Sequence, residues 1–467
     1  MDDGNDHDAI VVGAGLTGSM VALLLAQSGI NVGIIEKRSD TRQQFKEQKT
    51  GSHGQFANPN NRSINLALSF RGISTLIKAG IFEQVQPLLV PMEGRCIHQL
   101  SKDLLYQPYG HKGQAIYSVS RLALNEFLLS ALEKTKNIHF QFDAAVERVD
   151  PSGSILIQHD GVRSELKSKL IIGADGAFST VRDSLSKCCR IDVAQTFSNC
   201  GYKEFTIPSF TQGQYALPLH NCLHIWPRHD MGMIVALPNT DFTFTCTLFA
   251  PWDGEYGLQT LDRSTDQYVI DYFNKFFPDI FPMVPDLLAQ FRSNPSSPLL
   301  TVKANPWNKG SVLLMGDAAH AVLPFYGQGM NAGFEDALLF SEIWEEFHHD
   351  AAASVDAFNA RRQEAGIALA DLSYANYIEM SSLTDTIAFR AKKRLESVLS
   401  SLFPRMWIPL YTMVSFTRIP YNKAQSRARR QNRVLYCVMG VLGLTIVSAG
   451  LASSLQYRSI LPSPNKD

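Results

Sequence analysis

Residues 8–18 read Asp8-Ala-Ile-Val-Val12-Gly13-Ala-Gly15-Leu16-Thr-Gly18. An apolar run from Ser19 to Ser28 follows, then Gly29, then Asn31-Val-Gly-Ile-Ile-Glu36. Ala9 to Val12 have the unbroken apolar character of a strand covered on both faces. The apolar run is long enough for a helix, Gly29 is placed to end it, and a second strand runs into Glu36. This is a complete β-α-β unit of about 30 residues with a G-x-G-x-x-G turn, the pattern that binds a dinucleotide. Gly13 permits the tight turn, Gly15 lets the backbone approach a pyrophosphate, and Gly18 lets helix and strand pack closely. The helix start offers free N–H groups and partial positive charge to the phosphates, with Leu16 in its first turn. Glu36, about 20 residues downstream, is placed to accept both ribose hydroxyls, with Lys37 and Arg38 beside it. A carboxylate there suits a free ribose diol and repels a 2′-phosphate. NAD and FAD therefore remain as ligands of this unit, and NADP does not.

Two later stretches choose between them. Residues 170–182 read Leu-Ile-Ile-Gly173-Ala-Asp175-Gly176-Ala-Phe-Ser-Thr180-Val-Arg182, an apolar strand that runs into Asp-Gly and a helix start. Residues 312–336 begin Val-Leu-Leu-Met-Gly316-Asp317-Ala-Ala-His320 and continue through Pro324-Phe325-Tyr326-Gly327-Gln-Gly329-Met330-Asn331 to Glu335-Asp336. Here an apolar strand ends in Gly316-Asp317, and a glycine-rich loop opens a helix near Met330. Asp317 is suited to accept from a ribityl hydroxyl. The N–H groups of Gly327 to Asn331, at a helix start, are suited to the pyrimidine edge of a flavin, which becomes anionic on reduction. The combination selects FAD.

Composition limits the rest. The chain has 467 residues, 43 Lys plus Arg against 44 Asp plus Glu, and a formal charge of −1. That balance excludes a general nucleic-acid binder. Hydrophobic content of 45% and aromatic content of 10% exclude a disordered chain. The length is that of two or three domains of roughly 150 residues. The seven cysteines (96, 188, 189, 200, 222, 246 and 437) are odd in number and contain no C-x-x-C spacing. Neither a disulfide framework nor a metal site is expected from them, and they read as reduced thiols facing the cytosol. His348-His349-Asp350 resembles a metal cluster only in composition and reads as a solvated helix end, while His320 reads as a loop or structural residue. The acidic start, MDDGNDHDAIVV, fits neither a secretory signal nor a mitochondrial presequence. Between Arg433 and Arg458 no residue is charged, and a basic collar from Arg427 to Arg433 precedes that stretch. A helix of about 22 residues spans about 33 Å, so a transmembrane anchor at about 434–455 is expected, with the body on the cytosolic side. A buried C-terminal helix is the alternative.

The three signatures, in this order, resemble the class A flavoprotein aromatic monooxygenases, the para-hydroxybenzoate hydroxylase type. Further runs narrow the resemblance to the kynurenine-hydroxylating members of that class: Arg62-Ser-Ile-Asn65-Leu-Ala67-Leu-Ser69, Pro91 to Arg95, Tyr117 to Arg121, Leu223 to Arg228, Phe244 to Phe249, Pro324 to Asn331, Tyr374 to Met380 and Ile408 to Met413. It covers about residues 8–430. The resemblance implies tightly bound FAD, NADPH as a transient reductant and O2, with a flavin C4a-hydroperoxide delivering oxygen to position 3 of L-kynurenine, a step of tryptophan degradation. The chain carries no second G-x-G-x-x-G unit to hold the nicotinamide coenzyme. No side chain is expected as an acid or base catalyst. By position, Arg95 would pair with the amino-acid carboxylate, and Tyr109, Asn376 and Tyr411 would close the polar end. Met233, Val235, Leu237 and Phe249 would wall the ring, with Pro324 and Phe325 on the flavin side. Ala67, Arg121, Val146 and Thr180 would add FAD contacts. The eukaryotic members imply the mitochondrial outer membrane, with the catalytic body facing the cytosol.

Plainer readings stand beside these. Met233, Val235 and Leu237 would equally make ordinary sheet core, Tyr411 a packed tyrosine, and Arg95 a surface ion-pair partner. Residues 43–61 form a longer polar insert than such proteins carry and read as a flexible loop. The expected organisation is α/β. A Rossmann-like FAD-binding domain (1–70, 112–188 and 300–385) interleaves with a mostly antiparallel substrate domain (71–111 and 189–299). A helical region (386–432) and the anchor follow. Two rival functions remain: another membrane-tethered flavin hydroxylase or epoxidase with a hydrophobic substrate, and a flavin-binding scaffold without turnover.

Overall fold

The strands Ala9–Val12 and Val32–Ile35 are buried at every position and pair in parallel, with Ala9 opposite Val32. On its other edge Ala9 faces Leu170 of the parallel strand Leu170–Gly173. In this computed structural model residues 7–40, 42 and 65–437 are described, apart from 102, 111–112, 212 and 384–386. The expected insert at 43–61 therefore lies outside the described residues. The first sheet has six strands in the order Asn308–Lys309, Val312–Leu314, Leu170–Gly173, Ala9–Val12, Val32–Ile35 and Ile138–Gln141. All pairings are parallel except that of Asn308–Lys309, which is antiparallel. The helix Leu16–Gln27 crosses between the first two strands in sequence and packs against the helices Gly329–Glu346 and Arg121–Glu133. Gly18 shows why the turn needs glycine: a Cβ there would lie 1.9 Å from the Gly13 carbonyl oxygen. Gly13 has a φ of +103°, which side chains rarely allow.

The second sheet has seven strands: Ser297–Asn305, Asp192–Ile207, Phe244–Pro251, Met233–Pro238, Cys222–Pro227, Gly94–His98 and Leu104–Pro108. Every pairing is antiparallel except that between Cys222–Pro227 and Gly94–His98. Strand alternation gives the sheet two faces with different work. One carries Arg95, Leu223, Val235 and Thr247, which line a cavity shared with the first layer. The other carries Trp226, Ile234, Ala236 and Cys246, which join Tyr272, Phe273 and Phe277 in a separate core. Leu76, Ala79, Ile81 and Val85 belong to the core of the first layer. The chain thus enters the second sheet at Gly94, later than the expected boundary at residue 71.

The helices Ala351–Ile378, Ile387–Leu402 and Leu410–Ser415 and a helix over 421–437 make up the C-terminal part. The last of these buries Tyr421, Ala424, Ala428 and Leu435 against the body. The expected transmembrane helix is corrected here. Among the described residues no helix is long and apolar enough to cross a membrane. The described start of the expected span, 434–437, continues a helix docked on the protein, and 438–455 lies outside the described residues. The described fold is thus an α/β flavoprotein type, with no helix among the described residues long and apolar enough to cross a membrane.

Candidate active site

A cavity of about 630 Å³ runs between the two sheets, at the carboxyl ends of the parallel strands. That is where open α/β sheets bind ligands. From the first layer it is lined by Gly13, Gly15, Leu16, Glu36, Asp175 and Asp317, and from the second by Arg95, Leu223, Val235 and Leu237. One continuous space thus joins the dinucleotide motif to the far sheet.

At the dinucleotide end, Glu36 Oε2 accepts from the Ala14 N–H at 2.8 Å. Its Oε1 accepts from the Arg38 backbone N–H and from Arg38 Nε at 3.0 and 2.8 Å. Burial raises the Glu36 pKa, but the Arg38 and backbone contacts outweigh it and leave the carboxyl below its ordinary value. Glu36 is therefore an anionic acceptor at the end of its strand, as ribose recognition requires. The helix Leu16–Gln27 has no side-chain cap, so its first N–H groups are open to a ligand. Asp175 Oδ2 accepts from the Thr180 and Val181 N–H groups at 2.7 and 3.2 Å, at the start of the helix Thr180–Cys188 that Ser179 caps. Asp175 Oδ1 is buried without a hydrogen-bond partner, and burial raises the carboxyl's pKa. An orphaned carboxylate oxygen beside Gly176, at a site where a Cβ would meet open space, is what a polar ligand in this cavity would satisfy. These features fit FAD.

Asn331 supports the glycine-rich loop. Its Nδ2 donates to the carbonyls of Ala67 and Gly327 at 2.7 and 2.8 Å, and its Oδ1 accepts from the Ser69 N–H at 2.8 Å. One buried side chain so ties three segments of the cavity wall. Asp336 does similar work behind Gly316, accepting from its N–H at 3.1 Å, from Arg362 Nε at 2.7 Å, and meeting His320 Nε2 at 2.6 Å. His320 is buried and stacked on Trp307, a structural position.

At the other end the Arg95 guanidinium lies 4.8 Å from the Tyr411 ring centroid and 5.5 Å from that of Tyr109. Those two rings stack at 5.0 Å, and Tyr326 stacks on Tyr411 at 5.8 Å. Burial works against the Arg95 charge, but its polar surroundings, with Glu379 and a hydrogen bond with Tyr109 among them, raise the pKa overall. Burial also raises the hydroxyls of Tyr109, Tyr326 and Tyr411, which keeps them protonated and able to donate. Val235, Leu237, Phe249, Pro324 and Phe325 complete an apolar wall.

The cavity brings together most of the residues expected from sequence. Ala67, Arg121, Val146, Thr180, Lys37, Arg38, Gly329, Met330, Tyr109 and Tyr411 all line it. Five others stand behind the lining. Gly18 and Gly316 shape backbone turns. Asn331 is the clamp described above. Met233 is buried in the apolar cluster beneath the wall. Asn376 turns its Nδ2 to the Phe325 carbonyl at 2.7 Å and to Met380 Sδ, so it positions the Pro324–Tyr326 turn. Sequence reading missed Leu223, Thr247, Tyr326 and Met380, which do line the cavity. The period-2 parity of their strands was the available signal for Leu223 and Thr247, and it needed the register to be read.

This fold and cavity define an FAD-dependent hydroxylase architecture. Residues 6–373 match the family model described as FAD binding domain. The kynurenine 3-monooxygenase of Salinispora arenicola is 39% identical over 96% of this chain and 96% of its own. That of Sus scrofa is 41% identical over 93% of this chain and 89% of its own. Among solved structures, the tetrameric form of 2-methyl-3-hydroxypyridine-5-carboxylic acid oxygenase superposes with a TM-score of 0.65 at 22% identity, covering 83% of this chain and 95% of that one. The Pseudomonas aeruginosa protein PqsL, in complex with 2-aminobenzoylacetate, gives a TM-score of 0.64 at 19% identity, over 81% and 97%. The chain belongs to the kynurenine 3-monooxygenase family.

Proposed function

We infer that this chain is an FAD-dependent monooxygenase that uses NADPH and O2 to hydroxylate L-kynurenine to 3-hydroxy-L-kynurenine. The observation that carries the substrate is Arg95, a cation beside the stacked Tyr109 and Tyr411 rings, in the same cavity as Glu36 and Asp175. Bound FAD, reduced by NADPH, supplies the oxygen-transfer chemistry. The chain's own residues bind, orient and exclude water. Arg95 offers a planar fork of donors suited to a carboxylate, and the Tyr109 and Tyr411 hydroxyls are protonated donors beside it. An amino-acid head group fixed there extends its ring along Val235, Leu237 and Phe249. Those side chains are at most 8% exposed, so water is scarce beside the ring. Excluding water protects a reactive oxygen donor, and fixed orientation sets which ring carbon it meets. At the opposite end Glu36 would accept from the ribose of bound FAD, and the Leu16–Gln27 helix start would hold its pyrophosphate. The test is NADPH oxidation by purified FAD-loaded protein with and without L-kynurenine. The expected outcome is a several-fold stimulation with 3-hydroxy-L-kynurenine as product; a rate that kynurenine leaves unchanged rejects this substrate.

A further inference from the structure

On the face of the second sheet turned away from the cavity, Cys96, His98 and His224 form a cluster that the hydroxylation site does not use. Cys96 and His224 are directly opposed in the parallel strand pair. His98 follows Cys96 by two residues, so all three share one face. All are buried. Their donor atoms, one thiol sulfur and two imidazole nitrogens, lie within 4.8 Å of one another. His98 Nε2 and His224 Nδ1 are 2.8 Å apart.

The surroundings already orient these rings. Asp279 Oδ2 lies 3.5 Å from the other nitrogen of His98 and accepts from Trp226 Nε1 at 2.6 Å. Trp226 stacks on the His98 ring with centroids 3.9 Å apart, and Arg228 Nη1 donates to the His98 carbonyl at 2.9 Å. A carboxylate on the remote nitrogen of an imidazole is the arrangement that metal-binding histidines carry, because it fixes the tautomer and turns the free lone pair inward.

We propose that Cys96, His98 and His224 bind one Zn²⁺ ion, with Asp279 orienting His98 from behind. The donor set argues for the metal class. Thiolate with imidazole selects zinc, whereas calcium and magnesium take oxygen ligands. Bonds of about 2.0–2.3 Å in a tetrahedron put donor atoms about 3.4–3.6 Å apart. The two rings would separate slightly and the thiol would close by on the order of 1 Å, movements available to side chains on fixed strands. The Cys96 Sγ–H bond breaks as the Zn–S bond forms, the proton leaves to solvent, and water takes the fourth position. Arg95 and Leu223 sit on the same two strands with their side chains on the opposite face, so the ion would pin the strand pair that carries the polar end of the substrate pocket. Sequence spacing could not point to this site, because His224 is distant in the chain from the Cys-x-His pair.

The test uses the full-length, FAD-loaded protein, stripped with a chelator and titrated with Zn²⁺ alone. Bound metal is counted by elemental analysis, and its neighbours are read by X-ray absorption. The expected result is one equivalent with a shell of two nitrogens at about 2.0–2.1 Å and one sulfur at about 2.3 Å. Affinity should fall at least tenfold in Cys96→Ser and stay unchanged in a His348→Asn, His349→Asn double variant. Absence of bound zinc in the unaltered protein overturns the proposal, as does a shell without sulfur or a site lost with His348 and His349. Because the unaltered protein gives the shell directly, a poorly folded Cys96→Ser variant leaves the test intact.

Discussion

Arg95 concentrates the chemistry of the substrate end. Burial works against its charge, but its polar surroundings, Glu379 among them, raise its pKa overall, and it lines the cavity. Replacing Arg95 with Ala should therefore remove a charge-assisted contact worth about 2–5 kcal/mol. The measurement is the KM for L-kynurenine, expected to rise at least tenfold with FAD content preserved; an unaltered KM rejects the role. Arg95→Lys should recover little, since a point charge cannot reproduce the planar fork of donors. The type of residue needed was legible from the run Pro91 to Arg95. Its partnership with Tyr411 was not, because nothing in local sequence brings residues so far apart in the chain within 4.8 Å. Asn376 teaches the converse. A polar residue at the expected place spends its donor on the Phe325 carbonyl, which only side-chain orientation could reveal.

At the scale of elements, the start of the helix Gly329–Glu346 is held by Asn331 rather than by a side-chain cap of its own. Truncating Asn331 to Ala deletes three hydrogen bonds and strands the buried Ser69 N–H. A loss of about 1–3 kcal/mol is expected, seen as a lower urea midpoint together with a reduced flavin-to-protein ratio after gel filtration. Asn331→Asp should not rescue, because it keeps the acceptor for Ser69 but sets a carboxylate against two carbonyls. Equal stability of the Asp and wild-type proteins would remove the clamp from this account. The β-α-β unit and the Gly316-Asp317 turn were readable because each is closed by contacts within a few residues. The clamp joins Ala67, Ser69 and Gly327, and its geometry exists only after the sheets have packed.

At the scale of the whole molecule, a buried ion network joins the first layer to the C-terminal helices. Arg71 meets Glu335 at 2.6 Å and donates to the carbonyls of Val414 and Ile419. Arg362 meets Glu335 and Asp336, each at 2.7 Å. Burial raises the Asp336 pKa, but His320 and Arg362 lower it more, to about 2 from an ordinary 3.8. A carboxyl depressed on folding contributes stability above its unfolded pKa and loses it as pH falls through the folded one. The shift corresponds to about 2 kcal/mol, fully present above about pH 4 and lost by about pH 2. Urea unfolding across that window should show wild-type stability falling more steeply than that of Asp336→Asn, by about this amount. The variant should also be weaker at neutral pH, since Arg362 then keeps only one carboxylate in the interior. Parallel pH profiles of the two proteins would assign the acid sensitivity elsewhere.

The sequence by itself determined the dinucleotide unit, the choice of FAD and the family, because glycines, strand ends and acids at fixed short spacings act locally. It also fixed the residue types of the substrate end. Tertiary structure decided which of these reach the cavity: it placed Arg95 beside the stacked Tyr109 and Tyr411 rings and set Met233 and Asn376 behind the wall. It also gathered Cys96, His98 and His224 on the far face. Hydropathy along the chain suggested a membrane span at about 434–455, yet among the described residues no helix is long and apolar enough to cross a membrane, and the helix that leads into that stretch buries Tyr421, Ala424 and Ala428 against the body. Strand parity, ring stacking and helix docking depend on neighbours far away in the chain, and a one-dimensional pattern specifies a side chain's face only once the register of its partner strand exists.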